Sequence, residues 1–191
     1  ALGNFDAFHP GHHALFLSSS LNALNKSGAL LFSTPFGKPP FISSLEDKLR
    51  LARSTRLDTI YVLHNDERFF DNSPEDFMDL LGELGTRQVV VGKDFRFGKQ
   101  AKGTPSDLTK RFKTEIVDLM EMDGKKISSS SIKAYIESGR MEEATARLGR
   151  PYEVTGVVER GFGNGHKLSF PTVNLRFDFP YVLPRVGVYV G

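Results

Sequence analysis

At 191 residues, with 39% hydrophobic and 25% charged side chains, the chain can form one folded domain or one domain and part of another. A net charge of +2, from 25 basic and 23 acidic residues scattered along the chain, argues against a nucleic-acid surface and for compact anionic ligands. The absence of cysteine excludes disulfides, thiolate metal sites and a cysteine nucleophile. No apolar run nears the roughly 20 residues that span a bilayer, and no signal pattern is read at the N-terminus, so a cytoplasmic protein without a membrane partner is expected.

In chain order, Ala1-Leu2 reads as the tail of a strand. A helix is expected over residues 12–24, with Leu15, Phe16, Leu21 and Leu24 on its apolar side. A strand follows at 29–33, and then a helix over 45–56 behind the cap candidates Ser43 and Ser44. Strands at 59–63 and 88–92 flank a helix announced by Ser73-Pro74-Glu75-Asp76. Thr104-Pro105-Ser106-Asp107 opens another helix before a strand at 115–120. Helices at 129–138 and 141–148 close this part, and Gly149 and Pro151 mark a boundary. The alternation predicts an α/β fold with a mostly parallel sheet over residues 1–150. From Tyr152 the texture changes. Residues 153–159 alternate, 160–165 are glycine-rich, and 167–177 and 186–190 read as strands of an antiparallel β unit. About 40 residues are too few for a complete barrel.

Four segments carry chemistry. Gly3, Phe5, Asp6, His9, Gly11 and His12 lie where a strand turns into a helix. Such a helix start seats phosphate, and two imidazoles there can donate to its oxygens. A glycine turn with surface histidines is the plainer reading of the same residues. Ser128, Ser129, Ser130 and Ser131 open a second helix, with Lys133 one turn in, where they can donate to an anion; alone, a serine-rich helix start with a solvated lysine is the plainer reading. Asp94, Phe95 and Phe97, between Gly92 and Gly98, can border a planar heterocycle or simply cover a sheet edge. In the glycine-rich stretch ending Pro171-Thr172-Val173-Asn174, the residues Thr172 and Asn174 can offer oxygens to Mg²⁺, although on the residues alone a hairpin turn leading into an edge strand is the better reading.

Taken in order, these segments resemble the bacterial bifunctional riboflavin kinase/FMN adenylyltransferase (FAD synthetase) family. The family's Gly-x-Phe-Asp-Gly-x-His-x-Gly-His is similar to Gly3, Phe5, Asp6, His9, Gly11 and His12, with Ala7 in place of a glycine. Its Ile-Ser-Ser-Thr-x-Ile-Arg is similar to residues 127–133, with Ser130 for threonine and Lys133 for arginine, which keeps the charge and loses the planar fork. Gly92, Asp94, Phe95, Phe97 and Gly98 match its flavin loop. Leu148-Gly149-Arg150-Pro151-Tyr152 resembles its junction, and residues 165–174 resemble its kinase motif, with His166, Ser169 and Val173 as departures.

The resemblance implies a Rossmann-like nucleotidyltransferase domain at 1–150 and the N-terminal part of a riboflavin kinase-like barrel at 151–191. It implies transfer of AMP from ATP to FMN, giving FAD and pyrophosphate with Mg²⁺. His9, His12, Ser129 and Lys133 would serve the transfer. Gly3, Phe5, Asp6, Gly11, Lys126 and Ser130 would complete the ATP site, with Asp94, Phe95 and Phe97 at the flavin and Thr172 and Asn174 at a kinase nucleotide–metal site. ATP, FMN and riboflavin are the implied partners, and riboflavin kinase turnover is expected only of a longer chain. Another adenylyl- or cytidylyltransferase, acting on a different phosphorylated small molecule, is the rival within enzymes. A flavin-nucleotide-binding module without turnover is the rival outside them.

Overall fold

The computed structural model describes residues 1–23, 25–66, 69–159 and 173–190. Helix α1 (Pro10–Leu21) leads into strand β1 (Gly28–Phe32), followed by α2 (Leu45–Arg53), β2 (Thr59–Leu63), α3 (Pro74–Glu83), β3 (Gln88–Gly92), the single turn α4 (Pro105–Leu108) and β4 (Lys113–Val117). A small hairpin of β5 (Glu121–Met122) and β6 (Lys125–Lys126) precedes α5 (Ser129–Glu137) and α6 (Met141–Leu148). Strands β7 (Val157–Glu159) and β8 (Asn174–Arg176) come last.

β1 pairs with β2 and β3 with β4, both parallel and in register over five residues. Ala1 and Leu2 join the two pairs: Leu30 N–H donates to the Ala1 carbonyl and Leu2 N–H to the Val90 carbonyl, each at 3.0 Å. The expected strand tail is therefore the seam of the parallel layer. Period-two alternation decides which side chains face which way. Leu30, Phe32, Val89 and Val91 pack on one face with Phe77, Met78 and Leu81 of α3. Ala29, Leu31 and Val90 pack on the other with Leu15 and Phe16 of α1 and Ala52 of α2. The fold is mixed α/β, with helices on both faces of parallel strand pairs.

Several boundaries differ from the sequence reading for local reasons. α1 begins at Pro10 rather than His12, because proline is preorganised for the first helical position and lacks the N–H that would go unbonded. β4 runs over 113–117 rather than 115–120, because its ladder follows the length of β3. Leu119 and Met120 are thereby released to a cavity edge. The β5–β6 hairpin was unforeseen. Its turn, Asp123-Gly124, holds both residues at positive φ (54° and 69°), a conformation that Asp-Gly favours.

After residue 150, β7 and β8 pair antiparallel as expected, over three residues each. The strand expected at 186–190 does not form. No described strand lies beside it to take its backbone hydrogen bonds, and Val186, Val188 and Val190 are fully exposed. The glycine-rich stretch and Thr172 lie outside the described residues. Among the described residues, no helix is long and apolar enough to cross a membrane.

Candidate active site

In a parallel layer every strand ends on the same side, and ligands bind beyond the carboxyl ends. A cavity of about 680 Å³ opens there. It is lined from the strand ends by Leu2, Gly3, Phe32, Gly92 and Val117, and from the loops beyond them by Asn4, Phe36, Asp94, Phe95, Phe97 and Met120. His9, Gly11 and His12 enter from the start of α1, and Lys126, Ser128 and Ser129 from the start of α5.

These two helix starts differ from their neighbours. Helices α2, α3 and α4 each open on a capping box whose third residue is Asp47, Asp76 or Asp107, and α6 carries Glu142 and Glu143 in its first turn. A carboxylate there offsets the positive end of the helix dipole. Among the described α-helices, α1 and α5 lack a first-turn acid. α1 also has no side-chain cap, and α5 is capped by the neutral pair Ser128 and Ser131. The two uncompensated helix ends face the same cavity.

The imidazoles of His9 and His12 stack with centroids 3.8 Å apart and planes 15° from parallel. Burial, with a smaller contribution from the Lys126 charge, pulls His9 from its ordinary 6.5 down to about 4. Burial, then the neighbouring His9 and Lys48, hold His12 well below its ordinary value. Both rings are neutral at pH 7, and the Nδ1 atoms of both are buried without a partner among the described residues. A neutral imidazole offers one N–H and one lone pair, so the stack can donate to phosphate oxygens without a competing ion pair.

Gly3 and Gly11 of this motif are closely approached by neighbouring side chains. A Cβ on Gly11 would sit 3.0 Å from His9 Cε1, and one on Gly3 would sit 2.8 Å from the Phe5 ring. Phe5 and Phe8 adopt positive φ (53° and 48°), which is strained for L-residues. Both are wholly buried, stacking around Phe16, and this burial holds the strained turn. Ala7, the departure from the family motif, is not among the positive-φ residues. Its methyl is buried with Ile42, Ile127 and Ile132.

Other expected residues fall elsewhere. Phe5 lies behind the histidines, edge-on to His12 at 5.1 Å, rather than in the cavity wall, because its apolar ring belongs to the core. Asp6 is buried and accepts from Ser43 N–H at 3.2 Å; burial raises its pKa against the opposing pull of Lys48 and Lys133. Ser130 is exposed, and Lys133 lies near Asp6; neither lines the cavity, because successive residues of α5 turn away from it. Asp94 and Lys126 form an ion pair across the cavity edge. Asn174 sits on β8 opposite Glu159 and is not among the residues that line the cavity.

Sequence reasoning missed Lys48, Arg150, Asn4, Phe69 and Phe70. Lys48 is fully buried, donates to the Asn4 carbonyl at 3.0 Å, and is lowered by burial to about 8. Within Glu46-Asp47-Lys48-Leu49-Arg50 it reads as part of a solvated charged face, and no pattern marks it out. Phe69 and Phe70, with Phe36, also line the cavity, Phe36 lying edge-on to Phe70 at 5.6 Å. Among the described residues no group of three or more His, Asp or Glu side chains is placed to hold a metal ion.

Residues 1–131 match the family model described as FAD synthetase. The chain belongs to the FAD synthetase family. Residues 148–191 match a second model, described as riboflavin kinase. Among similar proteins, the bifunctional riboflavin kinase/FMN adenylyltransferases of Listeria monocytogenes and Bacillus subtilis are each 33% identical over 99% of this chain and 65% of their own length. A protein named FAD synthetase, also from Listeria monocytogenes, is 30% identical over 98% of this chain and 78% of its own. The chain thus spans about 65% of the first two relatives. A crystal structure from Streptococcus pneumoniae, named as a macrolide-efflux protein, superposes with a TM-score of 0.83 at 25% identity, over 96% of this chain and 65% of that one. That name describes the other protein, and what carries over from the superposition is the mixed α/β fold.

Proposed function

We propose that the chain transfers AMP from ATP to FMN, giving FAD and pyrophosphate. The observation that carries this reading is the convergence of two acid-free helix starts and a stacked neutral histidine pair on one cavity that phenylalanines also line. A polyphosphate suits the helix starts and histidines, and a flat heterocycle the phenylalanine faces. Family membership supports the same substrates.

In the proposed reaction an FMN phosphate oxygen bonds to the α-phosphorus of ATP. The bond from that phosphorus to the bridging oxygen breaks, and pyrophosphate leaves with the electron pair. No enzyme nucleophile is required; the protein orients the two phosphates and stabilises the added charge. His9 and His12 donate from α1 and Ser129 from α5, while Gly3 and Gly11 allow close approach. Lys126 serves the nucleotide and Asp94 the flavin, each released from the other when ligands enter. Lys133 supports the site through Asp6, and Ser130 is at most peripheral. Phe95 and Phe97 border the ring system. Mg²⁺ enters as part of the MgATP substrate, held mainly by phosphate oxygens, as that ion prefers.

The same proposal takes residues 1–150 as a Rossmann-like adenylyltransferase domain and 151–191 as the first part of a riboflavin kinase barrel. The second family match and the antiparallel β7–β8 pair support the latter. Thr172 and Asn174 are its proposed nucleotide–Mg²⁺ residues, and phosphorylation of riboflavin is proposed for the whole protein. ATP and FMN as substrates favour the cytoplasm.

The test is FAD formation from FMN and ATP by purified wild type and by a His9→Ala/His12→Ala double variant. Loss by a factor of about 10² or more, with the fold retained, is expected. Equal rates would remove the histidines from the mechanism. A wild-type protein that adenylylates a different phosphate and binds no flavin would overturn the assignment.

A further inference from the structure

Arg150 lies outside the segment matched by the FAD synthetase model and inside the one matched by the riboflavin kinase model. Its guanidinium nonetheless grips the histidine loop. Nη2 donates to the Ala7 carbonyl and Nη1 to the Phe8 carbonyl, both at 3.0 Å. The residue is partly buried and makes no ion pair within 4 Å among the described residues, so its fork is directed at backbone rather than at a carboxylate.

We infer that Arg150 is a positioning residue for adenylyl transfer, clamping from the neighbouring segment the loop that carries His9 and leads into the helix start that carries His12. The inference rests on the function proposed above. Two consecutive carbonyls held by one rigid fork fix two peptide planes. In a trans peptide the N–H points opposite the C=O, so the grip on Phe8 also sets the direction of the His9 N–H. Phe8 is one of the two residues of this loop held at positive φ, and a strained turn persists only where its surroundings over-determine it.

The junction touches the loop at a second point. Gly149 ends α6 at φ 72°, and a Cβ there would lie 3.2 Å from Pro10 Cγ, so its backbone packs on the first residue of α1. Gly149 and Arg150 together seat residues 7–10 from behind, while Lys48 holds the Asn4 carbonyl from α2. A lysine at 150 could hold one carbonyl but not fork across two. The arrangement makes the geometry of the proposed adenylylating loop depend on a residue of the second matched segment.

The experiment compares wild type, Arg150→Lys and Arg150→Ala by FAD formation, thermal melting and amide hydrogen exchange. Arg150→Ala is expected to melt as one cooperative unit, to exchange faster in residues 5–12 than elsewhere, and to lose kcat by about tenfold to a hundredfold with a smaller change in KM for FMN. Arg150→Lys should fall between the two. Wild-type kcat in Arg150→Ala, unchanged loop exchange, or an activity loss that merely tracks the unfolded fraction would each overturn the inference. Should Arg150→Ala fail to fold, the same readings on Arg150→Lys decide. If wild type makes no FAD, the proposed function falls, while the exchange comparison, which needs no turnover, still tests the clamp.

Discussion

His9 shows how one buried side chain links site and stability. In the folded chain its pKa is about 4, against 6.5 when solvated, because burial disfavours the charged ring. Between those values the unfolded chain binds a proton that the folded chain refuses. Its contribution is therefore complete above pH 6.5 and is lost as pH falls toward 4, by about 3 kcal/mol over the window. Asp47 titrates below this range: the bonds it accepts from Tyr181 and Ser44 outweigh its burial and hold it under its ordinary 3.8. Urea unfolding at stepped pH should show the slope in wild type and a flatter one in His9→Asn. Equal slopes would mean that His9 is not buried neutral. At this same scale, the motif glycines and histidines were legible in sequence, because backbone freedom and imidazole chemistry are properties of the residue type. Lys48 and Arg150 were not. Their function comes from carbonyls 44 and about 142 positions away along the chain, to which no local pattern points.

Helix starts show the element scale. Ser44 with Asp47, Ser73 with Asp76 and Thr104 with Asp107 satisfy their own first turns, and their sequence signature is legible because the partners lie three residues apart. α1 and α5 leave that position without an acid. Ser129→Glu at the start of α5 should therefore act in opposite directions. The carboxylate should raise folding stability by about 0.5 kcal/mol through the helix dipole. It should also weaken ATP binding by repelling phosphate. Thermal melting and nucleotide titration read the two effects separately, and equal or tighter ATP binding would remove the α5 start from the nucleotide site. The strand at 186–190 failed at this scale because alternation alone does not supply a pairing partner, whereas the equally short β1 and β3 each found one.

At the scale of the whole molecule, residues after 150 are tied into the α/β layers. Phe41 N–H donates to the Pro180 carbonyl at 2.8 Å and Val182 N–H to the Phe41 carbonyl at 2.7 Å. Tyr181 donates to the Asp47 carboxylate at 2.5 Å, and Tyr152 to the Val182 carbonyl at 2.8 Å. Asp47 is thus shared between the α2 capping box and a residue 134 positions later. Tyr181→Phe removes a buried bond to a charged group and should cost about 1.5–3 kcal/mol in urea unfolding. A stability equal to wild type would show that the two Ser44 bonds satisfy Asp47 by themselves.

The histidine loop joins these scales. Its residue types, the helix that follows it and its membership in an ordered set of motifs were determined by the sequence alone, since turn chemistry, capping and hydrophobic period act over a few residues. Only the tertiary structure decided that the starts of α1 and α5 share one cavity, that Ala7 is a core residue rather than a strained one, that Asp94 pairs with Lys126, and that Lys48 and Arg150 hold the loop from behind. The reason is physical. Those outcomes depend on which strand ends the parallel layer brings side by side and on which charges its packing deprives of water, and both are set by contacts between segments far apart in the chain.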